Sequence, residues 1–169
     1  MERWDVYNAA LERTGITKTR ADVWGQKEYH LRVSLWVVNA NAQVLIQKRA
    51  AHKRIFPNLW CNVCGSVMAG ETSAAACVRE AAEEVGVAVG ECELTFIGRT
   101  VHNNNIHDYY AMRNDLPIEQ FVFPVDEISA LRWISLEGIR DLLRQELFLL
   151  ADISDLDTLE KYICENIKG

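Results

Sequence analysis

No stretch of this 169-residue chain approaches the roughly 18 consecutive apolar residues that a bilayer span requires, which excludes a membrane-crossing helix. Basic residues are equally sparse in clusters. The largest is the short patch Lys48, Arg49, Lys53 and Arg54, within a net charge of −6. Such a chain is poorly suited to grip a nucleic-acid polymer, although a single nucleotide needs only a local cluster. The five cysteines are odd in number and lack framework spacing, so free thiols in a reducing compartment are expected. The opening residues MERWDVYNAALERTG lack the charged-then-apolar layout of a signal peptide, and a cytoplasmic location is expected. Repeats, linkers and low-complexity tracts are also missing. One domain over residues 1–169 is the expectation, long enough to bury a substantial core.

What is present is concentrated in one run, GSVMAGETSAAACVREAAEEVGV, from Gly65 to Val87. On a helix at ~100° per residue, Glu80, Glu83 and Glu84 fall on one stripe. Like charges so close repel one another, and a divalent cation is an economical way to offset the cost. Glu80 and Glu84, one turn apart, can share one metal face. Glu83 can take a second ion or hold a water, and its place between them makes it the first choice of general base. Ala74, Val78, Ala81, Ala82 and Val85 form a small-residue apolar stripe opposite, suited to close packing on a sheet. Thr72 is an expected N-cap, and Gly86 suits the left-handed position that ends a helix.

Strands are expected at Arg3 to Tyr7, His30 to Val38, Gln43 to Lys48, Trp60 to Cys64, Glu93 to Val101, Asp108 to Arg113 and Ile128 to Trp133. Asn39 to Asn41 makes a hairpin turn between the second and third of these. Two late helices are expected, from about Leu136 to Leu143 after a Ser135 cap and from about Asp155 to Ile167. His102 and His107 flank a polar run read as a loop, and loops of this kind carry specificity, so His107 is a candidate substrate contact.

Gly65, Glu71, Arg79, Glu80, Ala81, Glu83, Glu84, Gly86 and Val87 stand in the register of the Nudix hydrolase signature, with Ala81 where a larger aliphatic is usual. The chain thus resembles the Nudix superfamily, by pattern over about residues 30 to 145 and specifically over the signature. That resemblance implies an α/β fold, the Nudix-type α/β/α sandwich with a mixed β-sheet. It implies Mg²⁺ or Mn²⁺ as cofactor and cleavage of the phosphoanhydride in a small-molecule substrate, a nucleoside diphosphate linked to another moiety X. In similar proteins the carbonyl at the position of Gly65 joins the metal ligands, and Arg79, paired with Glu71, holds the carboxylates in place. Relatives often carry a second candidate base near Glu127, and a basic residue facing substrate phosphate at the strand end occupied by Arg49. A homodimer through the N-terminal strand or C-terminal helix is open.

The stretch RIFPNLWCNVCGSVMAGE also resembles type I isopentenyl diphosphate isomerases, which share the fold. Their catalytic cysteine matches Cys64, and one of their metal-binding histidines matches His30. Three departures count against isomerisation. Ser66 stands where they have a histidine, the later strand offers only Asp108 for their paired glutamates, and the Arg-Glu and Glu-Glu pairs they lose are intact here. A hydrolase from the isomerase-like branch is the reading these features favour. A catalytically silent diphosphate-binding module is the third alternative, though such proteins usually lose signature glutamates and none is lost here. Cys61 and Cys64 form a CxxC pair, but zinc would need two further ligands at suitable spacing.

Overall fold

The computed structural model describes residues 2–150 and 154–167. Strand β3 (His30–Val38) organises the molecule. It runs parallel to β8 (Asn105–Arg113) along its whole length, from His30↔Asn105 to Val38↔Arg113. Its other edge is divided. Val38 pairs with Val44 of β4 (Val44–Arg49), after which the two strands diverge and Arg32 to Leu35 pair with β6 (Val63–Ser66). Strand β4 then takes β5 (Trp60–Cys61) and β9 (Ile128–Ile134), while β7 (Thr95–His102) closes the far edge on β8. The result is a seven-stranded mixed sheet that splays where β3 and β4 part. A separate hairpin, β1 (Trp4–Tyr7) and β2 (Arg13–Lys18), is joined to the start of β3 through Tyr7 and Tyr29.

Alternation along β3 decides what each face carries. Leu31, Val33, Leu35 and Val37 pack against Ala76, Cys77, Ala81 and Val85 of α1 (Ser73–Val85). Trp36 and Val38 turn the other way, onto Ile139 and Leu142 of α2 (Leu136–Arg144) and Leu156, Leu159 and Ile163 of α3 (Ser154–Asn166). Burying side chains of this size stabilises by about 1.5–3 kcal/mol each, so both helical layers are held by the sheet between them. This is the expected α/β/α sandwich.

Helix α1 begins and ends as its sequence dictates. Thr72 Oγ1 accepts the Ala75 N–H at 3.1 Å, and Gly86 adopts φ 68°, allowing the Val87 N–H to reach the Ala81 carbonyl at 3.0 Å. The expected apolar stripe needs one correction. Ala82 is exposed, and Ala76 and Cys77 face the sheet instead.

Three other expectations are also corrected. The strand from Trp60 breaks at Asn62 into β5 and β6, because its halves serve strands that have separated. His107 lies within β8 rather than in a loop, since β7 and β8 extend to a tight turn at Asn103 and Asn104, with Asn103 at φ 52°. The expected strand set also omitted β2, whose first four residues are exposed and show no alternation. Among the described residues, no helix is long and apolar enough to cross a membrane.

Candidate active site

The guanidinium of Arg79 is the hub of the signature. Its Nε and Nη2 donate to the two oxygens of Glu71 at 3.0 and 3.1 Å, a bidentate pair. Its Nη1 donates to Glu80 Oε1 at 2.7 Å and Glu83 Oε2 at 3.2 Å, and Nη2 reaches the Ser66 carbonyl at 3.0 Å. Burial opposes its charge, but the bonds to Glu71 and Glu80 outweigh that and raise its pKa further. Glu71 is fixed in turn by the Met68 N–H at 3.0 Å. The structure thus brings the two expected organisers, Arg79 and Glu71, into direct contact.

Glu80 and Glu84 point from α1 toward the gap between the separated strands. A Cβ at Gly65 would lie 1.9 Å from Glu80 Oε1, so the signature glycine leaves the space this carboxylate occupies. Glu84 Oε2 accepts from Gln47 Nε2 at 2.7 Å and from the Cys64 N–H at 3.1 Å. Both donors are neutral. Burial, then the neighbouring Cys64 and Glu80, push the Glu84 pKa well above the ordinary carboxylate range, and burial raises that of Glu80 despite Arg79. Gln47 went unremarked in the sequence reading. Its signal was a polar side chain in an otherwise apolar stretch of strand, VLIQ.

The remaining candidates are more dispersed. Glu83 is 59% exposed, with one oxygen on Arg79. Glu127 lies just before β9 and pairs with Lys53 Nζ at 2.9 Å. Arg49 lies two residues beyond Gln47 on the same face of β4, but its Nε and Nη2 are held by the Ile55 and Phe56 carbonyls. His107 is buried, bonded through Nε2 to Ser34 Oγ at 2.9 Å and stacked on Tyr109 at 4.7 Å. The Cys64 thiol is hydrogen-bonded to Cys61, and that bond together with burial raises its pKa well above normal. His30 stacks on Trp4 at 4.6 Å, and its Nε2 has no hydrogen-bond partner among the described residues.

The signature thus gathers four carboxylates around one guanidinium and a pair of neutral donors, an excess of negative charge made of hard oxygen donors. That chemistry fits Mg²⁺ or Mn²⁺. Among the described residues no three His, Cys, Asp or Glu side chains converge closely enough to hold an ion alone. A bound ion would therefore complete its shell with water and phosphate oxygens.

Residues 28–151 match the family model of the NUDIX domain. An uncharacterized Nudix hydrolase of Listeria monocytogenes is 31% identical over 84% of this chain and 85% of its own length. Nudix hydrolase 3 of Arabidopsis thaliana is 31% identical over 86% of this chain, which spans only 21% of that longer relative. An isopentenyl-diphosphate Delta-isomerase of Escherichia coli is 39% identical over 54% of this chain and 50% of its own length. The crystal structure of DR0079 from Deinococcus radiodurans superposes with a TM-score of 0.75, covering 95% of this chain and 98% of that one at 23% identity. The chain belongs to the Nudix family, on its isomerase-like side. It is a Nudix hydrolase acting on diphosphate-containing small molecules.

Proposed function

We propose that the protein is a divalent-metal-dependent pyrophosphohydrolase that cleaves the phosphoanhydride bond of a nucleoside diphosphate linked to a moiety X. The observation that carries this reading is the Arg79 hub, which holds Glu71, Glu80 and Glu83 beside the half-buried Glu84. Mg²⁺ or Mn²⁺ held by Glu80 and Glu84, with Glu83 and the Gly65 carbonyl as further ligands, would neutralise phosphate oxygens and supply a nucleophilic water at neutral pH. The protein's own contribution is position. Arg79 and Glu71 keep the carboxylates from rotating apart, and Gln47 with the Cys64 N–H aims Glu84. Glu83 has one oxygen free of Arg79 and is the first candidate to take the proton of the attacking water, with Glu127 the second. Arg49 stands at the rim for the substrate phosphates. His107 acts through the Ser34 hydroxyl that it orients.

The match to an isomerase makes Cys64 and His30 the competing site. Two features weigh against it. The half-buried Cys64 thiol is hydrogen-bonded to Cys61, and the fully buried Asp108 has both oxygens committed to Arg99, at 2.5 and 2.8 Å. The deciding experiment is Mg²⁺- and Mn²⁺-dependent phosphate release from nucleotide diphosphates, sugar nucleotides and prenyl diphosphates, with Glu84→Gln alongside. Turnover that needs metal and vanishes in Glu84→Gln is expected. Isomerisation of a prenyl diphosphate that vanishes in Cys64→Ser would overturn the reading.

A further inference from the structure

We propose that Arg32 is the anion-binding residue of a subsite on the sheet face turned away from α1, and that this subsite selects substrates in which X carries a further phosphate or similar oxyanion. The proposal rests on the hydrolase reading and names the substrate class that the same cleft would prefer.

Arg32 alternates with Leu31 and Val33, which face α1, and so shares its face with His30, Ser34 and Trp36. Helices α2 and α3 cover the Trp36 end of that face. The other end is polar. There Arg32 is half-buried, and its guanidinium forms no hydrogen bond or ion pair with any described residue. The part-buried Arg79, by contrast, is locked onto carboxylates, and even the exposed Arg99 is held by Asp108. A guanidinium taken part-way out of water without a counter-ion is costly, and planar oxyanion recognition is what this group does best. Asp108 belongs to Arg99, and burial holds both His30 and His107 near a pKa of about 4, so they stand neutral around Arg32 at pH 7.

Two more polar atoms at this end are unmet. His30 Nε2 and Trp4 Nε1 are both buried without a hydrogen-bond partner, on rings stacked 4.6 Å apart. Trp24, 5.5 Å from the His30 ring, extends this aromatic group. Buried polar atoms are ordinarily satisfied, and a ligand oxygen would accept from Trp4 Nε1, and from His30 Nε2 in the tautomer that carries its proton there.

The position suits the second end of a substrate held at the signature. Arg32 pairs across the sheet with Ser66, whose carbonyl takes Arg79, and Ser34 pairs with Cys64, whose N–H takes Glu84. The Arg32 strand is therefore the immediate neighbour, about 4.8 Å away, of the strand that contacts Arg79 and Glu84.

UTP and UDP-glucose make a test pair, because X is a charged phosphate in one and a neutral sugar in the other. Arg32→Gln should raise KM for UTP about ten- to a hundredfold with little change in kcat, abolishing the preference for UTP, and Arg32→Lys should recover part of it. Arg113→Gln, on an exposed residue of β8 paired with Asp115, should leave that preference intact. An unchanged preference in Arg32→Gln overturns the subsite. A second measurement needs no turnover. Glu84→Gln protein is titrated with inorganic tripolyphosphate and Mg²⁺, following tryptophan fluorescence, with and without Arg32→Gln. Affinity weakened at least about tenfold supports the subsite even if neither nucleotide is hydrolysed, in which case only the hydrolase reading suffers. Equal affinity overturns it.

Discussion

The Glu80 carboxylate rests on the bare Cα of Gly65: a Cβ built there would lie 1.9 Å from Oε1 and 2.1 Å from Cδ. The clash is with the end of a side chain, so the fold can yield by swinging Glu80 away from Arg79. Gly65→Ala should therefore cost only about 1–2 kcal/mol of stability while reducing kcat by orders of magnitude. Urea unfolding beside turnover checks this. Near-wild-type kcat in a folded Gly65→Ala protein would remove Glu80 from the site.

Arg79 spends its donors on Glu71, Glu80, Glu83 and the Ser66 carbonyl, a fan that one ammonium cannot reproduce. Arg79→Lys keeps the charge and loses the bidentate Glu71 pair. The expected result is a stability loss of about 2 kcal/mol, seen as a fall in Tm of roughly 4–8 °C, with activity lost beyond what unfolding explains. A lysine variant with unchanged Tm would show that charge alone holds the carboxylates.

The legible part of this protein was the part specified locally. Thr72, the alanine-rich turn and Gly86 mark α1 within the same twenty residues that carry its acids, so helix and candidate ligands could be read together. Partner-dependent features escaped. Strand β2 exists because β1 pairs with it, and its sequence RTGITK has no alternation of its own. The break at Asn62 reflects the divergence of β3 and β4, which no residue between Trp60 and Ser66 announces. His107 was misplaced into a loop because three consecutive asparagines read as polar coil. Asn103 instead accepts a left-handed φ and lets the strands run on to a tight turn. Nothing in the sequence around Arg32 singles it out, and only the absence of a partner for its guanidinium among the described residues marks it.

His107 should make the protein acid-sensitive. Burial and the nearby Arg32 lower its pKa from 6.5 to about 4. As pH falls between these values the unfolded chain takes up a proton that the folded one refuses. The stability is therefore present above pH 6.5 and is lost toward pH 4, by about 3 kcal/mol. His30 acts in the same direction. In urea titrations from pH 7.5 to 4.5, His107→Gln should be less stable at neutral pH through loss of the Tyr109 stack, yet lose less stability on acidification than wild type. Parallel curves would show that His107 does not titrate with folding.

Glu84 should pull the other way. Burial raises its folded pKa well above the ordinary 4.5, so the folded state holds this proton more tightly than the unfolded chain does. Its contribution is then fully present below 4.5 and is lost as pH rises through the folded value. With a chelator present, the stability difference between Glu84→Gln and wild type isolates this group from the histidines. It should favour the glutamine variant at pH 7.5 and shrink on acidification. Gln47 and the Cys64 N–H both donate, so the glutamine must present its oxygen to them and can keep the fold. Excess Mg²⁺ should then stabilise wild type and leave Glu84→Gln nearly unmoved, since an ion that binds only the folded state raises stability in proportion to the logarithm of its concentration over Kd. Equal stabilisation of the two proteins by Mg²⁺ would mean that the ion is held elsewhere. A variant less stable than wild type at every pH would mean that the Glu84 charge is already neutralised within the protein.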